Sequence, residues 1–236
     1  MNLNTDCGST IARTLQVNST GGTTNLNVSQ HLAGVFAGPG IVNVGTNGSR
    51  VLVTNAAGVD GEGGAINLND NDMILDYTLT ADDTAARALL HAGRANGGWN
   101  GIGINSATAA ANPSHNTSLG SMEATDFKGI YGVTSKFDNE TIDNTSLLIK
   151  YTWYGDADFN GKVDGADYAR IDSHFNQQTG GNIGGWVNGD FDDNGKIDGA
   201  DYALIDNAFN SQTGVLRPAG SLLGQGSRNG RLSDIV

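Results

Sequence analysis

The first part of the chain, residues 14–75, alternates short apolar and polar positions between clusters of glycine and asparagine. Segments such as TLQVN, NLNVS, IVNVG, RVLVTN and AINLND carry apolar side chains at every second position. This period of two, between residues that favour turns, is typical of β-strands. The runs are spaced almost evenly, which is compatible with a parallel solenoid and equally with a sandwich. We therefore predict a mainly β domain over residues 1–154, with one of these two architectures.

One segment of this region has a helical pattern instead. The stretch TADDTAARALLHAG begins with a predicted capping box of Thr80 and Asp83, and its alanine and leucine side chains share one face. It predicts one short helix packed on the β domain. Further along, FKGIYGVT and TSLLIKYTWY are predicted to be two strands around the acidic turn KFDNETID.

Two acidic segments follow, DADFNGKVDGAD at 156–167 and DFDDNGKIDGAD at 190–201. The stretches 156–180 and 190–214 match at a constant offset of 34, with 18 of 25 positions identical. A match of this quality indicates an internal duplication. The charged residues amount to only 16% of the chain, so the concentration of carboxylates in two short segments requires a chemical explanation.

Calcium provides that explanation. This ion takes six to eight oxygen ligands, and a loop of 12 residues supplies them from positions 1, 3, 5, 7, 9 and 12, with glycine at position 6. Position 7 contributes a backbone carbonyl, so a lysine there can point outward. Magnesium demands a tighter octahedron, and zinc prefers His and Cys. We predict two bound Ca²⁺ ions, one for each of the ligand sets Asp156, Asp158, Asn160, Lys162, Asp164, Asp167 and Asp190, Asp192, Asn194, Lys196, Asp198, Asp201.

Each loop is followed by an amphipathic run, YARIDSHF or YALIDNAF. A calcium loop with one following helix, present twice, resembles the dockerin type I module. The resemblance implies a small all-α domain over residues 155–214 that contains two F-hand motifs and binds two calcium ions. It also implies attachment of secreted proteins, often polysaccharide-degrading enzymes, to cohesin domains. Our expected partner is therefore a cohesin-like domain or a cell-envelope protein.

In this family, loop positions 10 and 11 commonly carry Ser/Thr-type residues that recognise the partner. Here the candidate partner-binding residues at these positions are Gly165, Ala166, Gly199 and Ala200. The resemblance also favours an extracellular or cell-surface location. The opening MNLNTDCGST lacks the basic start and apolar core of a signal peptide, which fits either a cytoplasmic protein or an exported fragment.

The overall charge restricts the expected partners further. A formal net charge of −12 would repel nucleic acid and anionic membrane surfaces. The sequence has no apolar run of about 18 residues, so no membrane insertion is expected. The end of the chain, residues 215–236, is polar and rich in glycine, and we predict a flexible tail there.

A catalytic function within this chain is not expected. Glycoside hydrolysis requires two carboxylates on opposite sides of a sugar, but the glutamates of the N-terminal part lie in turn-rich contexts, and its aspartates at 70–76 are spaced like a strand edge that could bind another cation. Two alternatives remain open: a C-terminal fragment of a polysaccharide-degrading hydrolase or lyase, and a surface adhesin or spacer with purely structural calcium. The carboxylates considered are Glu62, Glu123, Glu140, Asp70, Asp72 and Asp76.

Overall fold

The computed structural model describes residues 1–8, 13–61, 63–177 and 184–219. Its first part is a β-solenoid of three turns, so the structure shows the solenoid and not the sandwich. After the short strand β1 (Asn2–Leu3), the strands of the three turns are β2 (Gln16–Ser19), β3 (Thr23–Leu26), β4 (Gln30–Leu32), β5 (Gly34–Ala37), β6 (Ile41–Val44), β7 (Val51–Thr54), β8 (Ala57–Val59), β9 (Ala65–Asn67) and β10 (Asp72–Asp76).

The rest of the chain contains both helices and strands. The remaining elements are α1 (Thr80–Arg94), β11 (Gly103–Asn105), α2 (Ala107–Ala111), β12 (Thr117–Glu123), α3 (Ala124–Tyr131), β13 (Lys136–Phe137), β14 (Glu140–Thr141), β15 (Ser146–Trp153), α4 (Gly165–Phe175) and α5 (Gly199–Ser211).

Each turn of the solenoid contributes one strand to each of three sheets. The first sheet has the order β1-β3-β6-β9-β11, and all its strands are parallel. The second sheet is β2-β5-β8, also parallel. The third sheet begins with the parallel strands β4, β7 and β10 and continues with β15 and β12, which are antiparallel. The long strand β15 therefore connects the solenoid directly to the first acidic loop.

Asparagines stack along the first sheet. Asn25, Asn43 and Asn67 occupy matching positions in neighbouring strands. The side-chain amide of Asn43 donates to Asn25 Oδ1 at 3.0 Å, and that of Asn67 donates to Asn43 Oδ1 at 2.9 Å. Asn25 in turn donates to Asn2 Oδ1 at 2.8 Å. This ladder satisfies the amides of successive turns and holds the strands in one register.

The third sheet is buried on both faces. Leu52, Met73 and Leu75 point into the solenoid interior, where they belong to the inner core. Val53 and Ile74 point to the other face and belong to an outer core that also contains side chains of both acidic repeats. Uninterrupted apolar runs such as VLVT and MIL are the sequence pattern of strands covered on both sides.

The outer core is shared by the solenoid and the acidic repeats, so residues on both sides of the predicted boundary at 154/155 pack together. It includes strand residues of the third sheet, side chains of α3 and the following hairpin, and the apolar positions of both repeats. Members from these groups are Val51, Met122, Leu148, Phe127, Phe137, Phe159, Val163, Ile171, Trp186, Phe191, Ile197 and Ile205.

The structure corrects three local predictions. FKGIYGVT is not a strand. Its residues up to Tyr131 belong to helix α3, and this helix buries Phe127. A short apolar run fits the period of a strand as well as that of a helix, and packing against the third sheet selected the helix.

The capping box predicted for α1 is wrong, since the N-cap is Leu79 and makes no side-chain cap hydrogen bond. The prediction of one helix in the β domain is also wrong, because α1, α2 and α3 all lie there.

The turn KFDNETID forms a hairpin. Strands β13 and β14 pair so that Phe137 lies opposite Glu140. The two residues between them, Asp138 and Asn139, have φ values of 51° and 70°. Positive φ at both central positions defines a type I′ turn, for which Asn and Asp are favoured. The sequence predicted this turn but assigned the preceding segment to a strand.

Residues 215–219, the described part of the predicted flexible tail, pack on the protein. Ala219 is 2% exposed and belongs to the outer core. The rest of that tail prediction lies outside the described residues. Within the described ranges, no helix is both long enough and apolar enough to cross a membrane.

Candidate calcium sites

The first acidic loop folds around its own backbone amides. Asp156 Oδ1 accepts from the amide of Asn160 at 3.0 Å, and its Oδ2 accepts from that of Gly161 at 3.0 Å. Gly161 has φ 87°, and a Cβ there would lie 2.0 Å from the carbonyl oxygen of Leu216. Position 6 of the loop therefore requires glycine for its conformation and for this close approach.

Three carboxylates of this loop converge. Asp156, Asp158 and Asp167 each offer an oxygen, and these oxygens lie within 4.8 Å of one another. Asp156 and Asp167 are fully buried. Asp167 also accepts from the amides of Ala157 and Asp164, both at 2.8 Å, so the start of α4 fixes its orientation. The loop thus brings positions 1, 3 and 12 together.

The second loop repeats this geometry. Asp190, Asp192 and Asp201 form the equivalent cluster, again with oxygens within 4.8 Å. Asp190 accepts from the amides of Asn194 and Gly195, both at 3.0 Å. The match with the first loop is close because the two sequences are duplicates, and the amides that bond Asp156 and Asp190 lie within the same loop.

The clustered carboxylates carry a clear electrostatic penalty. Burial, together with the negative charges of Asp167 and Asp158, raises the pKa of Asp156 well above its ordinary value. Burial raises the pKa of Asp167 to about 7 and that of Asp201 to about 6. The pKa of Asp190 is raised for the same reason. A cation at each cluster would compensate the charges that burial disfavours.

The donor set fits calcium. Both clusters present only oxygen atoms, in 12-residue loops with glycine at position 6, which is the ligand chemistry of hard cations. The clusters contain no nitrogen or sulfur ligand of the kind that zinc prefers. The acidic clusters could thus each hold a calcium ion.

The other predicted ligand positions lie outside the two three-carboxylate clusters. Asn160 and Asn194 accept from the backbone amides at position 7, at 3.0 Å and 2.8 Å. Asp164 and Asp198 are the N-caps of α4 and α5. Lys162 extends outward and pairs with the Asp164 carboxylate at 2.6 Å, and the side chain of Lys196 is exposed.

The candidate partner-binding residues lie at the start of the two helices. Gly165, Ala166, Gly199 and Ala200 are all exposed. A Cβ added at Gly165 or Gly199 would meet no atom within 4 Å. These positions therefore present backbone and small side chains to the solvent, with open space around them.

The two repeats pack as a symmetric pair. The hydroxyl of Tyr168 donates to Asp206 at 2.5 Å, and that of Tyr202 donates to Asp172 at 2.6 Å. In the same way, Tyr168 packs edge-on against Phe209, and Tyr202 against Phe175, with ring centroids 5.7 Å apart in both pairs. The amphipathic runs YARIDSHF and YALIDNAF favour aromatic side chains that face a core, but Phe175 and Phe209 are 45% and 48% exposed.

Several residues that support the first loop were not predicted from the sequence. Thr152 donates to the Asp156 carboxylate, and Tyr131 donates to the carbonyl of Asp158 at 2.9 Å. Both lie outside the repeat, so the repeat pattern could not reveal them. Trp186, in the linker between the repeats, is 6% exposed, and its indole donates to the carbonyl of Asp156 at 2.7 Å.

The carboxylates considered for hydrolysis are engaged by other side chains. Glu123 accepts from the hydroxyl of Tyr77 at 2.9 Å and pairs with Arg87. Glu140 lies 3.2 Å from His31 Nε2. Glu62 lies outside the described residues.

Of the aspartates considered as another cation site, Asp70 accepts from the backbone amide of Asn47 at 3.1 Å, and the other two are paired with basic side chains. Asp72 contacts Lys150 at 3.1 Å and also Arg217, and Asp76 contacts Arg13 at 2.7 Å. These two aspartates therefore neutralise the protein's own cations.

Residues 154–210 match the family model of the dockerin type I domain. This part of the chain is a dockerin type I module, which confirms the resemblance seen in the repeats. No curated protein and no solved structure matches the chain. A dockerin module is a non-catalytic unit of protein–protein assembly, and the matched residues do not extend into the solenoid.

Proposed function

We propose that the dockerin module binds two calcium ions, one in each acidic loop, and thereby attaches the solenoid to a cohesin-like or cell-envelope partner outside the cell. The duplicated cluster of three buried or half-buried carboxylates carries this proposal. Two clusters with the same positions and the same amide contacts are expected when two loops hold the same ion. The module 155–214 would be the attachment unit and the β region 1–154 its carrier.

The full ligand sets extend beyond the three clustered carboxylates. In the bound state, the side chains of Asn160 and Asn194 and the backbone carbonyls of Lys162 and Lys196 would complete the coordination, with Asp164 and Asp198 acting directly or through water. The exposed Gly165, Ala166, Gly199 and Ala200 would contact the partner. Because these residues are small, the start of each helix presents a flat surface. A partner with a complementary contact surface would fit there.

Isothermal titration with calcium tests the metal sites. We expect two sites in the wild-type protein. Asp167→Asn and Asp201→Asn should each remove one, because each replaces a clustered carboxylate by a neutral amide. Asp126→Asn, which changes an exposed carboxylate of α3, is the matched control and should retain both sites. Wild-type protein without calcium-dependent heat, or single variants that keep both sites, would contradict the proposal.

A purely structural role of calcium is the second candidate, because both repeats share the outer core with the solenoid. A binding assay against a panel of cohesin domains and cell-envelope extracts, with and without chelator, separates the two functions. Attachment requires calcium-dependent binding that is weakened when Ala166 and Ala200 are both changed to Arg. Calcium that stabilises the protein without any such binding would support the structural role.

A further inference from the structure

The two loops differ in how they are connected to the rest of the protein. In the first loop, the carbonyl of Asp156 accepts from the Trp186 indole at 2.7 Å, and the carbonyl of Asp158 accepts from the Tyr131 hydroxyl at 2.9 Å. These bonds tie its backbone to the linker between the repeats and to α3. Two backbone carbonyls of the first loop therefore accept hydrogen bonds from side chains that are far away in sequence.

The segment 215–219 runs along the same loop. The amide of Leu216 donates to the carbonyl of Gly161 at 2.8 Å, and the amide of Ala219 donates to that of Phe159 at 3.0 Å. This segment therefore continues the backbone hydrogen bonding of the loop and closes over it.

Arg217, in the middle of this segment, contacts a buried charge cluster of the solenoid. Its guanidinium pairs with Asp72 and, at 3.2 Å, with Asp138. Asp72 also holds Lys150, whose side chain is 1% exposed. The segment thus makes a backbone contact with the calcium loop and an ionic contact with the solenoid.

The second loop is more open at equivalent positions. Phe159 is fully buried in the first loop, whereas its counterpart Asp193 is exposed. Gly161 is buried, but Gly195 is only half-buried. Asp193 contacts helix α1 through a pair with His91 at 3.5 Å, in which the side chains are 44% and 61% exposed. The two loops therefore share a cluster geometry but have unequal surroundings.

We infer that the two calcium sites are of different kinds. The first loop holds its ion within the shared core, and its occupancy fixes the segment 215–219 on the solenoid, whereas the second loop exchanges its ion with the solution. The inference rests on the proposed calcium function. Release from the first loop requires the loop to open against the bonds of Trp186, Tyr131 and this segment, whereas the second loop is joined to a distant described residue through the solvent-exposed pair of Asp193 with His91. Because coupling is reciprocal, the segment also strengthens the first site.

Matched substitutions in the two repeats test the inference. Asp158→Asn and Asp192→Asn make the same change at position 3 of each loop. Calcium release into excess fluorescent chelator should be biphasic in the wild-type protein, with rates that differ by about tenfold or more. Asp158→Asn should abolish the slow phase, and Asp192→Asn the fast phase.

Amide hydrogen exchange gives a readout that does not depend on affinity. The amides of Leu216 and Ala219 should exchange faster in Asp158→Asn and at the wild-type rate in Asp192→Asn. Arg217→Gln provides a second route if Asp158→Asn does not fold. It weakens the ionic contact without touching a ligand, and it should accelerate the slow phase of calcium release and leave the fast phase unchanged.

The outcomes separate this inference from the proposed function. Two sites with equal release rates, and amides of Leu216 and Ala219 that respond to neither loop, would overturn the inference and leave the calcium function intact. Wild-type protein that binds no calcium would overturn both.

Discussion

Four titratable side chains meet at the inner strands β10 and β15 of the third sheet: Asp72 contacts Lys150 and Arg217, and Arg217 also contacts Asp138. Burial, followed by the negative charge of Asp72, raises the pKa of Asp138 to about 9. Burial acts in the same direction on Asp72, but the charge of Lys150 and further hydrogen bonds outweigh it, and the pKa of Asp72 is lowered. At neutral pH, Asp138 therefore carries a proton and Asp72 does not.

This arrangement predicts a pH dependence of stability. Because the pKa of Asp138 is about 9 in the folded protein and about 4 in an unfolded chain, the folded state holds one more proton between these values. The free energy of unfolding should then fall as pH rises, by at most about 1.4 kcal/mol per pH unit from this group. Asp138→Asn removes this contribution, so its stability should decline less steeply between about pH 5 and pH 8.

Urea denaturation at several pH values and constant calcium measures the effect. Asp126→Asn, the exposed control, should follow the wild-type profile. Equal slopes in the wild-type protein and in Asp138→Asn would show that Asp138 does not hold the extra proton.

At the level of elements, the asparagine ladder explains why the solenoid strands keep their register. Asn43 is its central member: it donates to Asn25 and accepts from the amides of Asn67 and Asn69, at 2.9 Å and 3.0 Å. The side chain of Asn43 thus has three hydrogen-bond partners in the two neighbouring turns and links these turns directly. The period of two in the sequence predicted the strands, but not this stacking.

Asn43→Ala should destabilise the protein by about 2–3 kcal/mol, because the substitution leaves partners on both sides without a hydrogen bond. Asn2→Ala is the matched control at the exposed end of the ladder, where one bond to Asn25 is lost, and it should cost about 1 kcal/mol or less. Chemical denaturation of both variants gives the comparison. Similar losses in the two variants would contradict a central role of Asn43.

Over the whole molecule, the shared outer core makes the module and the solenoid depend on each other. If the module folded independently, calcium removal would unfold residues 155–214 alone. The structure gives a different expectation, because Ile171, Phe191 and Ile205 of the repeats pack in the same core as Ile74 and Leu148 of the third sheet. Loss of the module would expose one face of that sheet.

Calorimetry should therefore show one cooperative transition for the module and the third sheet, and chelation should move it to lower temperature. An ion that binds only the folded state stabilises it by about 2.7 kcal/mol when it is present at 100 times its dissociation constant. Magnesium at the same concentration is the control and should restore much less of the shift. A separate low-temperature transition that appears on chelation, with the rest of the profile unchanged, would indicate that the module unfolds independently.

The two acidic clusters were located from the sequence alone because the three carboxylates of each cluster lie within 12 consecutive residues, where spacing specifies geometry. The strands of the solenoid were largely visible for a similar reason, since their period is local. The helix α3 was missed because a short apolar run such as FKGIY fits a strand as well as a helix, and contacts with the third sheet decide between them.

The relation between the two loops was decided by tertiary structure. As sequences they are near duplicates, although position 4 of the loop is Phe159 in the first repeat and Asp193 in the second. Trp186, Tyr131 and residues 215–219 reach the first loop from separate parts of the chain. Burial depends on which distant segments meet, and a local pattern of residues does not contain that information. The embedding of one loop and the openness of the other follow from how the chain packs.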